Sequence, residues 1–193
     1  SHTNETAEAL RTLHRIHRQL NDLKGRLARG PRLINAHDAS VAKMQKVYDD
    51  TKEVYTKLRM SVDEKQLQLN TNEASVKKRE SQLIQASDNR EYQALKDQIA
   101  ADTMANSVLE DEILEGMEKI EEMAEKVDDA EKALARSKEE AEKAKVANSA
   151  EQPTIQGDLD RLQGDLTEAE QGLSAEFKEH YVRLARSRGE DAL

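Results

Sequence analysis

Cysteine and tryptophan are both absent from this chain of 193 residues. Without cysteine there is no disulfide framework and no thiolate metal site within these residues. With no tryptophan, one phenylalanine and four tyrosines, the chain has too little aromatic volume for a thick multilayer core. A core one helix seam wide fits that composition. Prolines number only two and glycines seven, while Ala, Leu, Glu, Lys and Gln dominate, which is the profile of long helices. No run of about 18 apolar residues occurs and the N-terminus lacks a signal-peptide core, so the expectation is a soluble, cytoplasmic protein that makes no membrane contact. Ser1-His2 reads as the remnant of a cleaved tag. Positive charge is in deficit as well: 30 Lys and Arg stand against 39 Asp and Glu. The resulting net charge of -9 disfavours general attraction to nucleic acid phosphates.

What the chain does have is a sustained apolar alternation. Residues 5–29 carry Leu13, Ile16, Leu20, Leu23 and Leu27 on one helix face. Gly30-Pro31 is expected to break that helix, because proline lacks the amide donor a helix interior needs and pushes its predecessor out of the helical region. From residue 38 a seam runs through Val41, Met44, Tyr48, Tyr55, Leu58, Val62, Leu69, Val76 and Leu83, and one of its two position sets decays to Lys65, Asn72 and Arg79. After "SDN" the alternation resumes with Tyr92, Leu95, Ile99, Asn106, Leu109 and Ile113, and it turns to small residues toward Ala141 and Ala144. A second break is expected over 148–157, with Pro153 and Gly157 as punctuation. Asp158 is then a plausible cap for a last helix bearing Leu159, Leu162, Leu166, Leu173, Phe177, Tyr181 and Leu184.

A reversal near residue 88 brings the two proline breaks level on opposite arms, a symmetry that a single continuous rod does not explain. The fold class expected is therefore all-α: a long, kinked antiparallel coiled-coil helical hairpin. Residues 38–86 pair with 89–147 in the long arm, 5–29 pair with 158–188 in a shorter one, the tip lies at about 86–90, and the breaks lie at 30–37 and 148–157. Facing residue numbers that sum to about 176 would place Asn72 near Asn106 or Thr103, Arg79 near Asp97, and Lys65 near Asp111 or Glu112. Such polar layers fix register at some cost in stability. The alternative is that they are exposed seam positions near a frayed tip.

Signals of catalysis are sparse. Asp49-Asp50, Glu110-Asp111-Glu112 and Asp128-Asp129 pair carboxylates, but acid-base work needs a concave, water-poor site that a two-helix arm does not offer. A solvated face is the better reading, and no Gly-rich phosphate loop, HExxH or nucleophile motif is present. His14 and His17 have a spacing that could share a metal, yet "LHRIHRQL" supplies no third ligand, so they read as surface histidines. The expectation is a non-enzyme with no catalytic residue and no metal or cofactor in this chain. The candidate surface is the tip: Lys77, Lys78 and Arg79 in "VKKRE", with Asn89, Arg90, Glu91, Tyr92 and Leu95 just beyond the turn. Tyr92 either packs against Leu83 to close the turn or is displayed to a partner, and closing the turn is the favoured reading.

The stretch "RESQLIQASDNREYQALKDQI", followed by "LEDEILEGMEKIEE", resembles the bacterial family of coiled-coil hairpin proteins that end in a four-cysteine zinc ribbon. In that family a short polar triplet precedes Glu-Tyr-x-Ala-Leu, matched here by Glu91, Tyr92, Ala94 and Leu95. An acidic-apolar segment follows, matched by Glu110, Glu112, Ile113, Leu114, Met117 and Glu118. The resemblance implies an adaptor or chaperone-like role in transcription regulation. Studied relatives interact with the alternative sigma factor sigma-54 and are tied to flagellar or secretion-system expression, one of them also through a messenger RNA. The four zinc-binding cysteines are missing here, so zinc, and any RNA contact made through the ribbon, are expected only beyond Leu193.

Taken together, the residues and the resemblance point to a protein-binding interaction module. A self-associating structural rod is the alternative, and nucleic acid binding by these residues ranks below it. Leu33, Val54, Met60, Met104 and Leu114 lie off the seam and could pair two hairpins as a homodimer.

Overall fold

The computed structural model describes residues 2–173 and 175–190. They form α1 (His2–Ile84), α2 (Asn89–Gln171) and α3 (Ala175–Glu190), with no strand among the described residues. The two long helices pack together as an antiparallel hairpin, so the fold class read from the heptads is the one observed. The reversal also removes the single continuous rod from the alternatives.

The turn spans residues 85–88, between the two long helices. Its chemistry is local. Gln85 N donates to Gln82 O at 3.2 Å and Ala86 N to Leu83 O at 3.3 Å, tightening the end of α1. Asp88 then caps α2: its Oδ1 accepts from the Glu91 amide at 2.7 Å, and its carbonyl accepts from the Tyr92 amide at 3.1 Å. Asp88 and Glu91 thus stand in the Asp-x-x-Glu spacing of a helix start.

The expected breaks at 30–37 and 148–157 do not occur, for α1 runs through Pro31 and α2 through Pro153 without interruption. Both prolines are exposed, so their rings meet solvent and not the partner helix. The seam also persists across Pro31, where Leu27, Gly30, Ile34 and His37 are all half-buried in the same alternation. A proline inside a helix costs about 3 kcal/mol, and an uninterrupted seam on both sides offsets it. Gly30 eases the passage, since much of the clash before a proline is with a Cβ that glycine lacks.

A second correction concerns the last helix. Residues 158–188 are not one helix: α2 ends at Gln171, Leu173 N donates to Glu170 O at 3.2 Å in a tight turn, and α3 starts afresh at Ala175. The return sets Tyr181 against the start of α1, where its hydroxyl donates to Leu13 O at 3.5 Å. The side chain of Phe177, expected on the same face, lies outside the described residues.

Packing divides the chain into two compact units, one from Ser1–Ser40 with Lys138–Leu193 and one from Val41–Ser137. In the first, Ile16, Leu20 and Leu23 interlock with Ile155, Leu159 and Leu162, flanked by Leu27, Leu166 and Ala169. In the second, the core is Val62, Leu69 and Ile113, flanked by Leu109 and Ile120. There Gly116 lies directly under Val62: a Cβ at 116 would sit 2.5 Å from Val62 Cγ2, which only glycine avoids.

Candidate functional site

Within the Val41–Ser137 unit the apolar seam thins toward the turn, and no residue between Leu69 and Asn106 is buried. Polar layers take over. Lys65 reaches Glu112 at 3.3 Å, one of the pairings the register implies. Asn106 is 8% exposed and its Oδ1 has no hydrogen-bond partner among the described residues, while Asn72 is half-buried.

Arg79 corrects the register. It pairs with Asp102 and not Asp97, more than one helical turn further along α2. Each carboxylate is also held along its own helix, Asp97 by Gln93 at 3.0 Å and Asp102 by Gln98 at 3.1 Å. Asp102 offers its second oxygen inward to the guanidinium. Arg79 is consequently half-buried and engaged in this interhelical bond, whereas Lys77 and Lys78 are exposed.

Beyond the turn, Asn89, Arg90 and Glu91 form the exposed first turn of α2, and Leu95 is half-buried on the seam side. Tyr92, in the same first turns, keeps 41% of its surface exposed. The residue that sequence reasoning missed is Ile84, 86% exposed at the end of α1. Its signal was visible: it directly follows the seam residue Leu83, so it falls off the buried face. The turn thus displays an isoleucine and a tyrosine close to cations, and Lys77, Lys78 and Arg90 form no ion pair among the described residues.

The other unit holds a second feature. Where α3 returns beside the first turns of α1, Tyr181 is buried and its ring lies 5.2 Å from that of His17 at a 44° tilt. Desolvation pushes the Tyr181 phenol up to about 12, and Glu170 pushes it the same way. Desolvation lowers the His17 pKa against the opposing pull of Glu170, so the imidazole is neutral at pH 7. His14 is exposed, as expected, but His17 is half-buried, as a purely surface histidine would not be. A cavity of about 520 Å³ opens beside this ring pair.

The paired acids are exposed or half-buried and partly neutralised along their own helices, Asp50 by Lys46 at 3.6 Å and Asp128 by Lys132 at 2.8 Å. No group of three or more His, Cys, Asp or Glu side chains that could hold a metal ion occurs among the described residues. No helix among the described residues is long and apolar enough to cross a membrane. Compared with known proteins, the chain matches no family model, no curated protein and no solved structure.

Proposed function

We propose that the chain is a non-enzymatic, cytoplasmic protein-interaction module of adaptor or chaperone-like character, and that it engages its partner through the hairpin turn. The carrying observation is the pairing of exposed apolar side chains, Ile84 and Tyr92, with unpaired cations, Lys77, Lys78 and Arg90. Aromatic and arginine side chains are the residue types that most often dominate binding energy at interfaces. The four matched residues of Glu-Tyr-x-Ala-Leu support sigma-54, or a flagellar or secretion component, as the protein bound. Zinc and RNA belong, in this reading, to a ribbon outside these residues.

Titration of purified sigma-54 with the full chain tests the proposal. A Tyr92→Ala, Arg90→Glu double variant and an Ile84→Ser variant are each expected to weaken binding about tenfold or more. Unchanged affinity in both would remove the turn from the interface.

Self-association is a second reading, favoured by the exposure of Leu33, Val54, Met60, Met104 and Leu114. Sedimentation across a hundredfold concentration range separates the two. A concentration-dependent mass that is lost on Met60→Lys with Leu114→Lys supports pairing of hairpins.

A further inference from the structure

The cavity between α1 and α3 combines features that the turn does not share. Its apolar wall is made by Leu10, Leu184 and the buried ring of Tyr181. Arg18 of α1 and Arg188 in the last turn of α3 border it from the two helices, with His14 beside them. Neither guanidinium is ion-paired among the described residues, although the chain carries a net charge of -9 and carboxylates are abundant. Two unpaired guanidinium groups at one cavity create a positive field that an anion would relieve.

A third element is a polar atom left unsatisfied in the cavity wall. His17 Nε2 is buried at this cavity and has no hydrogen-bond partner among the described residues. A buried ring nitrogen left unsatisfied carries a desolvation penalty that a ligand group can recover. Two acids lie near. Glu170 of α2 acts electrostatically on His17 and Tyr181 but borders a different depression, with Glu179, Arg183 and Arg186. Asp22 borders a neighbouring depression of α1 that Arg18 also lines, with Arg11, His14 and Arg15, but forms no ion pair with Arg18 among the described residues.

We propose that this groove binds a small organic phosphate of mononucleotide size. Arg18 and Arg188 hold the phosphate, and the aromatic body lies against Leu10, Leu184 and Tyr181 with a polar edge toward His17 Nε2. Guanidinium suits this task because its planar fork matches phosphate oxygens two at a time. Size and lining select the class. A cavity of about 520 Å³ falls in the range of small-molecule sites. Inorganic phosphate would leave the apolar wall bare, and a nucleoside would leave both arginines unneutralised.

Calorimetric titration of the full chain with AMP, UMP, adenosine and inorganic phosphate tests this. Either nucleotide is expected to bind saturably, with adenosine and phosphate each at least tenfold weaker. Arg18→Gln and Arg188→Gln should each weaken nucleotide binding about tenfold or more. Both arginines are exposed, so circular dichroism and Tm should stay unchanged. His17→Phe, which keeps a ring on Tyr181 and removes the nitrogen, should weaken binding several-fold. Arg136→Gln, an exposed arginine of the other unit, should change nothing. The proposal is overturned by absence of saturable binding of both nucleotides, by phosphate binding as tightly as AMP, or by equal loss at Arg136. A single-stranded oligonucleotide that binds far more tightly than AMP, with a steep salt dependence, would also overturn it in favour of a nucleic acid surface.

Discussion

The unit holding both ends of the long hairpin helices and the unit holding the turn use the same heptad pattern to different effect. In the first, Leu13 is fully buried, at 0% exposure, and α3 packs beside it, with the Tyr181 hydroxyl donating to the Leu13 carbonyl. In the second, only α1 and α2 contribute, and Val54, Met60, Met104 and Leu114 stay exposed beside the seam. Two facing helices bury a stripe, as Ile16, Leu20 and Leu23 do against Ile155, Leu159 and Leu162, and α3 adds the buried Tyr181 at one end of it. The price of the open design is marginal packing toward the turn, where polar layers replace leucines. Its consequence is a set of apolar side chains left exposed, Ile84 and Tyr92 among them.

The largest expected effect tests that contrast directly. Leu13→Ala should destabilise by about 3 kcal/mol or more, whereas Val76→Ala, half-buried near the turn, should lose about 1 kcal/mol. Urea denaturation followed by circular dichroism reads both, and equal losses would erase the distinction between a covered and an open seam. Next come the glycines. Gly116→Val should lose about 1–3 kcal/mol from the clash with Val62, and Val62→Ala in the same chain should recover part of it. Gly25→Ala in the other unit meets nothing within 4 Å and should gain up to about 1 kcal/mol from helix propensity.

Removal of the turn's cap follows in size. Asp88→Ala should cost about 1 kcal/mol, and hydrogen exchange should speed up first at the amides of Glu91 and Tyr92, which Asp88 now holds. The smallest effect is the pH dependence that His17 contributes. Its folded-state pKa lies below the ordinary imidazole value of 6.5, so the unfolded chain binds the extra proton first as pH falls. Stability from this residue is present above pH 6.5 and is lost as pH falls from there through the lower folded-state value. Glu170 opposes the shift, and Lys24 and His14 reinforce it. Thermal melts from pH 7.5 to 5 should therefore show a shallower decline for His17→Phe than for the native chain.

The turn and the pairing of two long helices were legible because their signals are local. A polar triplet with Asp88 at its centre caps a helix whatever lies elsewhere, and alternation at helical spacing marks the buried face. Lys65 opposite Glu112 followed from that register. The candidate turn surface was half legible: Tyr92 and Arg90 were visible, but Arg79 was spent on Asp102 and Ile84 was passed over. A small error in register moved the arginine's partner by more than a turn, because seam spacing constrains which faces meet better than which heights meet. The groove at α3 was not legible. Leu166 and Leu173 keep apolar character at heptad spacing across Gly172, and Tyr181 follows, so the pattern read as one helix where the chain folds back.

Helix content, the reversal at 85–88 and the thinness of the core were thus settled by the amino-acid order alone, since they rest on hydrogen bonds, caps and spacing among near neighbours. The fate of Pro31 and Pro153, the partner of Arg79 and the direction taken by α3 were decided only by tertiary packing. Each is a contest between a local preference of a few kcal/mol and contacts with residues far away in the chain. Local rules state one side of that contest. The packed helices supply the other.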